Sequence, residues 1–441
     1  MAFSLRVNPL KFCFLFAVFF VPLWPTYLTL RLDGFPGFNL QRFSLSFTFF
    51  VWIVTVLLYG SVRARIFGVY RKNRKFFFFL FVFIFFQFLS VFFSDTKIKS
   101  LYSSFEYFLS FLVPFVVTIT LWDCPKKLST PLRVLLFSSF IVCVLGCVEL
   151  LFERPLFSDL IIANTTALKD AVEPKFRNLV HYRVQSTFVH PLSFAQYLIL
   201  IFPFTLTFIS LSRNNIFRLY VFFIFFLEIL CLYFTRTRSS VVVLFFVVVV
   251  FATIYAIVYA KKKGGPLSGI IFMSLSSFVV FSFISFSLFI LPMIVGTTAG
   301  EENSSLQRVA QLTTGVPLII SRPFTGYGPG RAASVLNMEN ESVDNYFLTV
   351  SLESGLIALF ALVAMFLISI SDSFRLLSLV GGSGKYVLCS CLVAFVNILL
   401  MMSIVSLKQF FPLIFMFFAF VVVYKNSVTG ASFRGNDYAR A

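Results

Sequence analysis

Fixed positive charge beside a carboxylate is the chemistry this sequence offers. The longest hydrophilic run, Thr297 to Asn345, carries Arg308, Arg322 and Arg331 together with Glu339, Glu341 and Asp344. The planar guanidinium fork grips phosphate oxygens two at a time. A carboxylate can take a proton from a hydroxyl or orient it. Arg308 sits in Ser304-Ser305-Leu306-Gln307-Arg308-Val309-Ala310-Gln311-Leu312. Ser304 or Ser305 suits a helix N-cap, and Val309, Leu312, Val316 and Ile320 recur as an apolar stripe. Such a helix lies in a membrane interface with Arg308 beside the stripe. The plain alternative is an arginine that anchors to headgroups. Asp344 and Gly355 are eleven residues apart. Three helical turns take about 10.8 residues, so the two share a face with Ser351. That face sets an acid at the membrane surface above a close-packing glycine. The plain alternative is a boundary aspartate in a solvated cap.

A second basic group is Thr235-Arg236-Thr237-Arg238-Ser239-Ser240, a two-arginine turn between apolar runs. With Arg183 and Arg331, and with Arg177 as a further candidate, Arg236 and Arg238 could clamp a diphosphate. His190 and Tyr327 are candidate substrate contacts, and His190 could equally be a satisfied polar residue at a helix start. Gly326-Tyr327-Gly328-Pro329-Gly330-Arg331 is a glycine-proline turn and lacks the P-loop spacing. Gly381-Gly382-Ser383-Gly384-Lys385 lacks it too, because Tyr386 follows the lysine. Neither speaks for ATP.

The elements that position these residues must sit in lipid. The 441 residues are 59% hydrophobic and 12% charged, with 66 Phe, more apolar surface than a water-soluble core can hide. The formal charge of +18 does not point to nucleic acid, since no basic block is interleaved with aromatics in a soluble domain. The basic residues punctuate apolar spans, as topology signals do. At about 20 residues per span, we read an all-α polytopic membrane protein of roughly twelve helices. They begin near residues 12, 43, 76, 101, 132, 190, 216, 239, 268, 346, 385 and 408. The first lacks a small-x-small cleavage site and reads as a span. Arg63, Arg65, Arg71, Lys72, Arg74 and Lys75, then Lys126, Lys127 and Arg133, then Arg213 and Arg218, then Lys261 to Lys263 mark the cytoplasmic side. Both termini are then inside, and the two large loops, about 153–189 and 297–345, are outside. The expected domains are one transmembrane unit, 1–425, and a disordered cytoplasmic tail, 426–441.

The Phe-rich runs such as Phe76 to Phe79 read as lipid-facing. No disulfide framework is expected from the seven cysteines. No zinc site is expected from two histidines with no Cys or carboxylate cluster at ligand spacing. Glu106, Glu149, Glu228 and Asn397 lie in or near apolar runs, where polar groups are costly and often functional. They form no line across the membrane, which favours interhelical hydrogen bonds over a transport path.

Three places together resemble the O-antigen ligase/polymerase family of bacterial surface-polysaccharide enzymes, over about residues 90–370. Ser186-Thr187-Phe188-Val189-His190-Pro191-Leu192-Ser193-Phe194-Ala195 is similar to the start of the family's middle spans. Arg238-Ser239-Ser240 is similar to its outer Arg-small turn. Arg308 to Leu312 has the ligases' Arg-x3-Leu, and Asp344 to Gly355 has the spacing of their His-x10-Gly. The ligases carry His where this chain has Asp344, and an ordinary Asp, with a pKa of about 3.9, is a weak base unless desolvated. That departure favours the polymerase side. The resemblance implies a polyprenyl-diphosphate-linked oligosaccharide as donor and a lipid-linked glycan as acceptor. It implies transfer without cofactor or metal, Asp344 and Arg308 as catalytic residues, and an outer-face site in the bacterial inner membrane. A chain-length regulator and a flippase are the implied protein partners, a ligase acting on lipid A core is the alternative enzyme, and a flippase the alternative class.

Overall fold

The computed structural model describes residues 8–25, 27–28, 39–158, 173–177, 181–212, 214–237, 244, 248–249, 251, 299–338, 343–381, 383–403, 406 and 408–431. A chain in hydrocarbon must satisfy its own backbone polar groups, so each apolar run becomes a helix. These are α1 (Asn8–Leu23), α2 (Leu40–Leu58), α3 (Gly60–Lys72), α4 (Arg74–Leu89), α5 (Lys97–Leu121), α6 (Ser129–Phe152), α7 (Pro191–Leu211) and α8 (Asn215–Phe234). They continue as α9 (Ala299–Ser321), α10 (Ala332–Val335), α11 (Tyr346–Leu379), α12 (Ser383–Met402) and α13 (Phe411–Ala431). Two-residue strands β1 (Phe176–Arg177) and β2 (His181–Tyr182) pair antiparallel in the first large loop.

The all-helical membrane architecture is as expected from composition. Among the described residues nine helices are long and apolar enough to cross a membrane, and α1 is a shorter apolar helix. The spans expected from near 239 and 268 lie almost wholly outside the described residues, so a count of twelve is not established. The basic stretch between α2 and α4 is itself a helix, α3, with Arg71 and Lys72 in its last turn, where cations complement the helix dipole. The last helix runs on to Ala431, beyond the boundary expected at Lys425. Lys425 pairs there with Asp372 at 2.6 Å.

The centre of the bundle is aromatic. Phe415 and Phe418 of α13 pack on Phe111 of α5, Phe366 of α11 and Phe395 of α12. The Phe76–Phe79 run divides between lipid and this core. Phe78 is 61% exposed, but Phe76 is buried against Phe115 and Phe418, with ring centroids 5.2 and 5.5 Å away. A helix turns about 100° per residue, so four consecutive side chains cannot all face lipid. The acids in or near the apolar runs tie separate segments together, two of them buried. Glu228 accepts from Ser139 and Thr205, each at 3.0 Å. Glu149 accepts from Tyr182 at 2.7 Å and from the Gln185 amide at 2.9 Å. Glu106 holds Arg42 across α5 and α2 at 2.8 Å.

Cross-contacts sort the loops into two ends. Asn73 meets Asn426 at one end, near Lys425 and Asp372. At the other, Thr187 donates to the Pro22 carbonyl, Arg322 to the Phe93 carbonyl, and Arg331 faces Asp95. The described site candidates all lie at this second end.

Candidate active site

The site is built around a broken helix. α11 starts at Tyr346 but loses its helical geometry at Gly355, whose φ is 82° and ψ 172°. The glycine turn fills the break. Tyr327 and Gly328 donate their amides to the carbonyls of Leu352 (2.7 Å) and Glu353 (2.9 Å), and Leu356 donates to the Pro323 carbonyl at 2.7 Å. Ser90 also donates to the Glu353 carbonyl. Backbone groups freed by a break at membrane depth must find partners, and this loop supplies them. Gly326, Gly328 and Gly330 all have positive φ, as the tight approach requires. A Cβ on Gly326 would sit 2.6 Å from the Glu353 carbonyl carbon.

This corrects one sequence reading. Asp344 and Gly355 do not share the face of a continuous helix, because Asp344 precedes the first turn and Gly355 ends the upper segment. Gly355 is a close-packing glycine, but what packs on it is the loop: a Cβ there would fall 2.6 Å from the Phe324 carbonyl carbon. Spacing alone gave three unbroken turns; the inserted loop decides otherwise.

Asp344 is positioned from two sides. Asn345 caps α11, its side chain accepting the Leu348 amide at 3.1 Å, so the capping role considered for Asp344 belongs to its neighbour. The Asp344 amide donates to Gln311 Oε1 of α9 at 3.2 Å. Gln311 is three residues, nearly one helical turn, after Arg308 on α9. The fold thus brings the arginine helix onto the acid's segment, and Gly315 packs against Leu348 one turn further. α9 begins at Ala299, so Ser304 and Ser305 lie inside it and neither is the N-cap: the helix extends further toward the N-terminus than its apolar stripe. The stripe points outward, with Val309 57% and Ile320 71% exposed, as a face meeting lipid would be.

The first large loop joins the Arg236 turn. Arg183 Nε donates to the Thr235 carbonyl at 3.2 Å, and the Val184 amide to the Phe234 carbonyl at 3.1 Å. Arg236 adopts a left-handed backbone, φ 52°, with its guanidinium 4.5 Å from the Tyr233 ring centroid. Arg238 lies outside the described residues. His190 caps α7, its Nδ1 accepting the Leu192 amide at 3.1 Å. Burial, aided by the positive charges of Lys175 and Arg183, pushes its pKa down to about 3. His190 is therefore neutral at pH 7, with its proton on Nε2.

Two other candidates brace the glycine turn. Arg331 is mostly buried and lies 3.9 Å from Asp95. Tyr327 shares a 2.7 Å hydrogen bond with Ser321, and Arg322 stacks 4.7 Å from its ring centroid.

Two neighbouring phenylalanines connect these parts. Phe410, in the turn before α13, packs on Phe188 and Tyr197 at 5.8 and 6.5 Å. Phe411 packs on Tyr346 at 5.1 Å. Phe188 is two residues before His190, and Tyr346 two after Asp344, so one turn touches both halves. That turn carries Lys408, which pairs with Glu353 at 3.0 Å. Sequence reasoning assigned no role to either Lys408 or Glu353. The available signal was opposite charges in two apolar spans, a combination that membranes tolerate when paired.

An arginine-rich rim, an acid and a broken helix, all at one end of a membrane bundle, can hold an anionic lipid headgroup beside a hydroxyl. Residues 220–363 match the family model for O-antigen ligase. The match runs from α8 across the Arg236 turn and α9 to the part of α11 beyond Gly355. It supports an O-antigen ligase/polymerase-like family, and function of the ligase/polymerase type, a glycosyl transfer. The Ser186–Ala195 stretch lies outside the match. No curated protein matches the chain.

Proposed function

We propose that this protein is a glycan polymerase that joins polyprenyl-diphosphate-linked repeat units at the outer face of the bacterial inner membrane. Both termini then lie in the cytoplasm. The acceptor hydroxyl attacks the anomeric carbon of the donor glycan with inversion. The new glycosidic C–O bond forms as the C–O bond to the diphosphate breaks, and the polyprenyl diphosphate leaves with the electron pair. Asp344 takes or directs the hydroxyl proton. Arg308, Arg236, Arg238 and Arg183 offset the negative charge that grows on the leaving diphosphate, a role for cations fixed in advance. Arg331 supports the same rim, and Tyr327 and His190 border the glycan.

One observation carries this reading: the Gln311–Asp344 hydrogen bond sets the helix of Arg308 against the acid's segment. The test is complementation of a deletion strain with Arg308→Ala, Arg238→Ala or Asp344→Ala, followed by a glycan ladder on a gel. Each variant is expected at normal protein level with elongation lost. Full-length polymer from all three ends the proposal. The family match, described as O-antigen ligase, favours a ligase as the second reading. Product length separates the two. Loss of a polymerase leaves single repeat units on the acceptor, whereas loss of a ligase leaves lipid-linked polymer without acceptor.

A further inference from the structure

An ion pair at the centre of this end has no part in the chemistry above. The Glu353 side chain is 3% exposed and that of Lys408 38%. Glu353 Oε1 takes the Lys408 ammonium at 3.0 Å, and Oε2 accepts from the Tyr107 hydroxyl at 3.1 Å. The ammonium also lies 5.2 Å from the Tyr107 ring centroid. Both carboxylate oxygens are therefore satisfied, as burial of a charge demands. The ammonium has three donors and no acceptor, and Glu353 uses one of them.

The location gives this cation a purpose. The turn bearing Lys408 presses Phe410 onto Phe188 and Phe411 onto Tyr346, between the His190 loop and the Asp344 segment. Glu353 belongs to the last turn of α11 before the break, so the glycine turn fixes its backbone as well. An ion pair that only fastens the turn before α13 to α11 adds little that apolar side chains would not, since such exchanges are often neutral. An ammonium clamped by a buried acid and a ring, on a side chain that is 38% exposed, is instead a cation preset toward an anion.

We propose that Lys408 is a phosphate-binding cation of this site, held in position by Glu353 and Tyr107, and that it takes a diphosphate oxygen of the lipid-linked donor. Naming that donor rests on the transferase reading; binding of a diphosphate does not. Lys408 is thus a substrate contact, and Glu353 and Tyr107 are positioning residues.

The test uses purified full-length protein in detergent, with inorganic pyrophosphate as binding probe and lipid-linked repeat units as donor. Lys408→Met alone would strand Glu353, so the main variant is the neutral pair Glu353→Gln with Lys408→Met. Loss of a charge-assisted contact is expected to weaken pyrophosphate binding and raise the donor KM by about tenfold or more, with kcat falling less. Lys408→Arg should keep binding within a few-fold. The exchange Glu353→Lys with Lys408→Glu restores an ion pair but places an acid where the anion sits, so it should not restore binding. Unchanged pyrophosphate binding and donor KM in the neutral pair, or recovery of both in the exchange, overturns the proposal. Wild-type protein that binds no pyrophosphate overturns it as well. Wild-type protein that binds pyrophosphate yet forms no glycosidic bond refutes the transferase reading and leaves Lys408 in its role.

Discussion

Replacing Gly355 with alanine tests whether the broken helix holds the site together. The backbone there, φ 82° and ψ 172°, lies in a region open essentially to glycine alone. An alanine kept in that conformation costs about 1–3 kcal/mol. Its Cβ would also press on the Phe324 backbone, 2.6 Å from the carbonyl carbon and 2.9 Å from the Pro323 oxygen. Backbone atoms cannot swing away as a flexible side chain can. If the loop yields instead, the hydrogen bonds from Tyr327, Gly328 and Leu356 are lost. At about 1 kcal/mol net for each, that route costs roughly 3 kcal/mol. Both routes reach a similar magnitude. At 1.4 kcal/mol per factor of ten, the detached loop gains about 100-fold in population.

The assay is amide hydrogen exchange over residues 322–331, with tryptic cleavage after Arg331 as a second readout; the Arg322–Pro323 bond resists trypsin. Gly355→Ala should lose about 100-fold in protection and should cut transfer activity, because the loop's removal frees the segment bearing Glu353. Gly381→Ala serves as control, since nothing lies within 4 Å of its added Cβ. Equal protection in Gly355→Ala and wild type would refute the reasoning, whatever the activity.

Gln311→Ala removes the acceptor of the Asp344 amide, at about 1 kcal/mol, and should lower transfer about five-fold; Gln311→Glu keeps an acceptor and should recover most of it. An unaltered rate in the alanine variant would show that the contact does not position Asp344. His190 has a folded-state pKa below its unfolded value of about 6.5. The unfolded chain therefore binds the extra proton first, and stability falls as pH drops from about 6.5 toward about 3. His190→Asn keeps a capping acceptor without a titrating ring. Its melting temperature in detergent should fall less than that of wild type between pH 6.5 and 4.5, and parallel curves would refute the cap assignment.

Much of the fold was legible because lipid imposes a simple rule on sequence. Apolar runs of span length had to be helices, and the basic stretches had to separate them. The same rule could not say how a helix would turn its faces. Phe76 and Phe78 are the same residue two positions apart, yet one is buried against Phe418 and the other exposed. The candidate site was legible only as residue types: Arg308, Asp344, Arg236 and Arg183 carry charge where apolar runs end.

What the sequence determined by itself was the class of protein, a helical membrane bundle with a cationic rim, since composition and run length act locally. Tertiary structure alone decided three things. The Asp344–Gly355 run is interrupted because a loop from upstream satisfies its freed backbone groups. The cap falls to Asn345, so Asp344 sits against Gln311. Glu353 finds Lys408, 55 residues on, because the turn before α13 meets α11 at that depth. Each is a contact between distant segments, and the strength of such a contact depends on distance and dielectric surroundings that no spacing within one segment encodes.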